Sequence, residues 1–207
     1  MPIVASVEQM DRYVAFLRGM NLGGRRVKNE ELRRHFEEIG LEEVSTFRAS
    51  GNVTFATPKR EAESKLAARV EAELGERLGY EVPVFLRSDE EVAAVAAHRP
   101  FDAKAVAKSK GKLQVSFLKK KPSATARMKV LSMASEEDLL ALEGRELYWL
   151  PSGGISESDL DLKALDAALG EGTIRTMGTV EQIAARGTQA SVAESSGGVA
   201  RVWKTTQ

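Results

Sequence analysis

The sequence predicts an α+β fold of two ferredoxin-like (β-α-β-β-α-β) subdomains in tandem. Three observations predict it. Hydrophobic patterns follow a β-α-β-β-α-β order over residues 13–87, and the same order returns over 113–176. A polar stretch without apolar period separates the two. The expected organisation is an amino-terminal subdomain with one extra helix over 1–99 and a linker over 100–112. A carboxy-terminal subdomain over 113–186 and a loose tail over 187–207 complete it.

Residues 13–18 combine aromatic and β-branched content and read as a strand. Residues 29–39 read as a helix with Asn29 as N-cap, an apolar stripe of Leu32, Phe36 and Ile39, and Gly40 as the stop. Two short strands, 44–49 and 52–57, flank the turn signal Ser50-Gly51. Ala62, Leu66, Val70, Leu74 and Leu78 recur every four residues, a helix ended by Gly79, and 81–87 is the fourth strand. A further helix over 89–98 opens with the capping-box pattern Ser88-x-x-Glu91 and closes before Pro100. After the linker come a strand at 113–118, a helix at 123–133, a hairpin of 138–142 and 146–150 around Glu143-Gly144-Arg145, a helix at 160–169 and a strand at 173–176. A last helix over 179–186 starts at Thr179-x-x-Gln182, and the small, polar residues beyond it read as tail.

Composition bounds the function. The 207 residues are 43% hydrophobic and 29% charged, ordinary for a globular protein. No run approaches the roughly 20 apolar residues of a membrane span, and the first residues, MPIVASVEQMDRY, lack the basic start and apolar core of a secretory signal. Cysteine is absent, which removes disulfides, thiolate metal sites and cysteine nucleophiles, and a cytoplasmic location is expected. Net charge is zero but uneven. Residues 103–135 hold nine cations (Lys104, Lys108, Lys110, Lys112, Lys119, Lys120, Lys121, Arg127 and Lys129) and no acid, so the remainder carries nine net negative charges. That segment reads either as a solvated face or as a site for nucleic acid or an acidic protein.

The stretch Arg18-Gly19-Met20-Asn21-Leu22-Gly23-Gly24-Arg25-Arg26 lies between the first strand and the first helix. In a ferredoxin-like sandwich neighbouring strands run antiparallel, so this loop and the turn Ser50-Gly51-Asn52 share one rim beside a helix N-terminus. Glycine backbone, arginines and a helix positive end then converge. The loop matches neither the P-loop pattern nor the dinucleotide fingerprint. It remains open between a sharp turn and a binding loop for a small phosphorylated or carboxylated ligand. The candidate ligand-binding residues are Arg18, Gly19, Asn21, Gly23, Gly24, Arg25, Lys28, Ser50, Gly51 and Asn52.

The stretches YVAFLRGMNLGGRRVKNEELRRHFEEIG, FRASGNVTF, LRSDEEVAAVAAHRPF, LYWLPSGGISES and TIRTMGTVEQIA together make the chain resemble domain-of-unknown-function family 1697 over about residues 12–186. The resemblance implies a bacterial-type cytosolic α+β protein of two subdomains and implies no activity. One departure matters. The family typically reads Arg-Asn-Trp-Asn-Thr where this chain has Arg175-Thr176-Met177-Gly178-Thr179.

Catalytic patterns are sparse. Ser50 invites a nucleophile reading, but His35 borders the apolar stripe of the first helix and His98 ends another helix, so no triad assembles. No zinc motif is present, Asp159 and Asp161 suit a helix start better than a metal, and no cofactor or metal is expected. Binding without chemistry is the leading expectation, with an enzyme using the same rim as an alternative. The RNA-recognition sandwich offers a fold analogy, but the basic-aromatic octapeptide is missing from NVTFAT. A purely structural role, with the first sheet's open face buried against the second subdomain, is the third reading.

Overall fold

In a computed structural model of the protein the described residues are 10–20, 26–48, 51–58 and 60–197, with the backbone alone for 188–197. They form two four-stranded antiparallel sheets of identical topology. The first comprises β1 (Asp11–Leu17), β2 (Glu42–Thr46), β3 (Asn52–Thr57) and β4 (Val84–Ser88), in the spatial order β2-β3-β1-β4. The second comprises β5 (Gln114–Leu118), β6 (Asp138–Glu143), β7 (Glu146–Pro151) and β8 (Gly172–Thr176), ordered β6-β7-β5-β8. Helices α1 (Asn29–Glu38) and α2 (Glu63–Leu78) cover one face of the first sheet, and α5 (Ala124–Leu131) and α6 (Leu162–Leu169) one face of the second. The chain is therefore a tandem of two ferredoxin-like units.

The remaining sheet faces are buried against each other. Along β1, Ala15 and Leu17 point to α1 and α2, while Val14 and Phe16 point to the second sheet, where they join Phe85, Val115, Phe117 and Tyr148. Burial on both sides explains the unbroken apolar run YVAFL, which a one-sided strand would have alternated with polar residues. At the centre the Phe16 and Phe117 rings stack at 4.0 Å and 9°. Helices α3 (Asp89–Ala97) and α7 (Met177–Gly197), each following the last strand of its sheet, close this layer with Val92, Val95, Val180 and Ile183. The third expectation for the open face, burial against the second subdomain, describes what is seen.

Local signals behave as their chemistry requires. Ser88 Oγ accepts from the Glu91 N–H (3.2 Å) while Glu91 Oε2 accepts from the Ser88 N–H (2.9 Å), the expected capping box. Gly79, at φ 72°, ends α2 in the left-handed region where glycine is least strained.

Several boundaries differ. Lys28, not Asn29, is the N-cap of α1 and supplies no side-chain cap. Strand β2 starts two residues earlier than expected and ends at Thr46. A bulge lies between Glu42 and Ser45, and Phe47 turns into the core between the sheets. The segment expected as linker contains α4 (Ala103–Lys108), capped by Asp102 Oδ1 on the Ala105 N–H (2.7 Å). This helix buries none of its residues, so it leaves no apolar period to read. Helix α7 begins at Met177, with Thr176 Oγ1 accepting from the Thr179 N–H, and continues to Gly197. The expected loose tail is thus helical as far as Gly197, because small residues such as Ala184, Ala185, Ala190 and Ala193 favour helix as readily as they resemble a linker. Residues 198–207 lie outside the described ones.

The segment that enters β5 is tied to the end of β7. The Lys110 N–H donates to Ser152 O (2.9 Å) and Ser109 Oγ to Pro151 O (2.5 Å). A Cβ on Gly111 would stand well inside contact distance of the Pro151 and Gly153 carbonyl oxygens, whereas one on Gly153 would meet only the mobile tip of Glu157 at 2.6 Å. Gly111→Ala should therefore destabilise by about 1–3 kcal/mol or more, and Gly153→Ala by much less. Urea unfolding of the two variants checks the contrast.

Candidate ligand-binding rim and groove

Sequence placed the loop after β1 and the β2–β3 turn on one rim, and the described residues agree. The Leu17 N–H donates to Gly51 O (2.7 Å), and Met20 packs against Gly51. Gly51 sits at φ 68° with Leu17 and Met20 only 3.0 Å from where a Cβ would lie, so the turn closes only around a glycine here. Asn21, Gly23, Gly24, Arg25 and Ser50 lie outside the described residues. Gly19 (φ 77°) is half-buried and Lys28 is exposed.

Arg18 leaves this rim and reaches the second unit. Its Nη1 donates to Gly172 O (2.9 Å) and its Nη2 to Asp166 Oδ2 (3.1 Å), across to the junction of α6 and β8. Asn52 is buried at 1% exposure; its Nδ2 donates to Phe47 O (3.0 Å) and its Oδ1 accepts from Arg175 Nε (2.6 Å). Arg175, on β8, also donates from Nη2 to Leu17 O (2.8 Å) and Gly51 O (3.3 Å), and from Nη1 to Ile174 O (2.8 Å). Burial pushes its pKa down to about 10, so it remains a cation at neutral pH.

The opposite end of the sheet interface repeats this arrangement. Arg87, on β4, donates from Nη2 to Leu118 O (2.9 Å) and Arg145 O (3.2 Å), from Nη1 to Leu86 O (2.6 Å), and from Nε to Glu146 Oε1 (2.6 Å). Leu118 ends β5 as Leu17 ends β1, and Arg145 occupies the β6–β7 turn as Gly51 occupies the β2–β3 turn. Burial lowers the Arg87 pKa, offset by the Glu146 carboxylate. Arg145 in turn grips Glu63 (2.5 and 3.1 Å) and Glu91 (2.7 Å), which hold its proton more tightly than usual. Lys119 contacts Glu71 at 2.5 Å, as Arg18 contacts Asp166. Sequence reasoning missed both interface arginines, the buried Arg87 and the half-buried Arg175. The available signal was positional: each stands one residue before the Ser or Thr that caps the next helix.

The two ends differ in what surrounds the arginines. Asn52 stands where Glu146 stands. On the helix side, Arg18 marks the mouth of a cavity of about 600 Å³ between α6 and the second sheet, lined chiefly by Leu118, Leu147, Trp149, Leu162, Leu165, Leu169 and Ile174. The other candidates for chemistry lie apart. His35 is on α1 between Glu31 and Glu38, and the His98 ring packs 4.8 Å from Tyr148. Among the described residues no three metal-ligating side chains cluster, and no helix is long and apolar enough to cross a membrane.

A family model described as "Protein of unknown function (DUF1697)" matches residues 10–148. The chain belongs to the DUF1697 family. Among solved structures it is similar to a conserved bacterial protein, SP0830, from Streptococcus pneumoniae. The similarity has a TM-score of 0.64 at 19% identity, over 86% of this chain and 98% of that one, and bears on the fold. No curated protein matches. The family match spans the first unit and most of the β5–β7 region, so Arg18, Asn52, Arg87 and Glu146 all lie within it while Arg175 lies beyond.

Arg87→Ala should cost about 3 kcal/mol, because Glu146, only 12% exposed, would lose its cation and keep just the Arg145 N–H as a donor. Arg87→Ala combined with Glu146→Gln should recover part of that loss. Denaturant unfolding of the single and double variants measures the coupling.

Proposed function

We propose that this protein binds a small organic anion at the rim where the β1–α1 loop and the β2–β3 turn meet. The observation that carries the reading is the convergence of two guanidinium groups on one strand end. Arg175 donates to Leu17 O and Gly51 O, and Arg18 extends from the next residue with its side chain still 34% exposed. Arg18 is held in place by Gly172 O while its second amine faces a half-exposed carboxylate, Asp166. An incoming carboxylate or phosphate replaces that exposed ion pair, itself worth at most about 1 kcal/mol, with a charge-assisted bond of about 1.5–3 kcal/mol. Gly19, Asn21, Gly23, Gly24, Arg25, Lys28, Ser50 and Gly51 belong to the same proposed rim. Asn52 acts behind it by orienting Arg175.

Lys104 to Lys129 support the rival macromolecular reading less well. Lys104, Lys108, Lys110 and Lys112 precede β5 and Lys119, Lys120 and Lys121 follow it, at opposite ends of a strand spanning about 16 Å, while Arg127 and Lys129 lie on α5. Lys119 is engaged by Glu71 and Arg127 by Leu142 O. Arg18→Ala should abolish the ligand-induced rise in melting temperature across a screen of metabolite carboxylates and phosphates. Without ligand it should lower stability by no more than about 1 kcal/mol. Normal ligand response in the variant would make Arg18 only a tether between the two units.

A further inference from the structure

Resting on the anion-binding reading of Arg18, we infer that the ligand is an amphipathic carboxylate of medium chain length. Its head lies on Arg18 and its apolar chain lies in the groove between α6 and the second sheet. The two units supply the comparison that points there. In the first, Leu66, Val70 and Leu74 of the 16-residue α2 are all at 0% exposure over Ala15 and Leu17, and the equivalent cavity between α2 and β4, also of about 600 Å³, is ringed by the charged Glu63, Glu71, Glu91, Lys119 and Arg145. In the second, the cover is thinner and the lining apolar: α6 has eight residues and buries only Leu165, over a floor of Leu118, Leu147 and Trp149. The result is the cavity of about 600 Å³, within the roughly 300–1,000 Å³ usual for small-molecule sites. Leu162 and Ile174, 41% and 39% exposed, flank its mouth.

Charge is confined to one end. Among the described residues, Arg18 and Asp166 are the only ionisable side chains lining the groove, both close to Gly172, which pairs with Leu118 at the end of β5. From Leu118 the floor runs along β5 past Ser116 to Gln114, about 13 Å at the rise of a strand. Leucines and Trp149 dominate the walls, with few polar groups. A phosphorylated sugar placed here would bury hydroxyls against leucines without partners, whereas a hydrocarbon chain ending in a carboxylate meets matching chemistry along its length. The Ser116 hydroxyl, with no hydrogen bond to another described residue, gives room for one polar substituent midway.

The test is calorimetric titration of the full chain with inorganic phosphate and straight-chain carboxylates from acetate to decanoate, below micelle formation. Each added methylene should tighten binding about fourfold until the groove is filled. Ile174→Glu, at the exposed mouth, should flatten that series, with Leu162→Glu as the second variant if the first does not fold. Arg18→Gln should weaken every carboxylate by a similar factor and leave the slope unchanged. Arg18-dependent binding of phosphate and acetate with no gain along the series would overturn this inference and leave the anion reading standing. No binding of any probe would overturn both. A steep series indifferent to Ile174→Glu, Leu162→Glu and Arg18→Gln would place the chain elsewhere and overturn the inference as well.

Discussion

The fold depends on a reciprocal arginine exchange between two sheets that share no ladder hydrogen bonds in the described residues. Arg87 leaves the edge strand of the first sheet to donate to the carbonyls of Leu118 and Arg145, and Arg175 leaves the edge strand of the second to donate to Leu17 and Gly51. Apolar burial alone would let the faces slide, because the hydrophobic effect has no direction. A guanidinium does have direction: its five donors are fixed in a plane, and each carbonyl must lie at the right place for the charge to be tolerated away from water. With one such constraint at each end and the Phe16–Phe117 stack between them, the relative position of the units is set. The matched contacts give the interface an approximate two-fold character, with α3 and α7 as equivalent closing helices.

Function follows from where that symmetry is broken. Around Arg87 the interface supplies its own carboxylates: Glu146 on the guanidinium, then Glu63 and Glu91 on neighbouring Arg145. At the equivalent places around Arg175 stand Asn52 and Gly51, and a longer helix over one sheet becomes a shorter one over the other. One end is therefore a cavity walled by an ionic network and the other an arginine-bearing rim beside an apolar groove. The first unit lends Arg18 to a cavity whose walls belong to the second.

Strand order was legible because period-two and period-3.6 patterns survive wherever one side of an element is buried, as with Leu66, Val70 and Leu74 in α2. The same test is blind to α4, which buries nothing, and it reads the small, polar continuation of α7 as a loose tail. The rim was also legible, since antiparallel pairing forces the ends of β1 and β3 together. Its connection to the second unit was not. Nothing in the pattern of one sheet shows which residues of another unit it meets, so Arg18 read as an anion-binding cation at a strand end, with no sign of Asp166 148 positions away. Arg87 and Arg175 escaped notice for a related reason. Each is one charged residue at the end of an apolar strand, and only superposing the two repeats shows that Leu86-Arg87-Ser88 and Ile174-Arg175-Thr176 do the same thing.

Face-to-face packing also limits what the fold can do. RNA-binding sandwiches of this topology present the sheet surface opposite the helices, where aromatic side chains stack on bases. Here the aromatics on that surface, Phe16, Phe85, Phe117 and Tyr148, are all within 2% exposure and pack on one another between the sheets. Val53 and Phe55 of β3 point the other way, into the core under α1 and α2. A ligand therefore cannot stack on those rings. On the helix side of the first sheet the cavity between α2 and β4 is ringed by Glu63, Glu71, Glu91, Lys119 and Arg145, whereas the strand ends beside Arg18 adjoin the apolar face behind α6. Arg18 lies on both of these surfaces, so the proposed site joins a rim drawn from one unit to a groove drawn from the other.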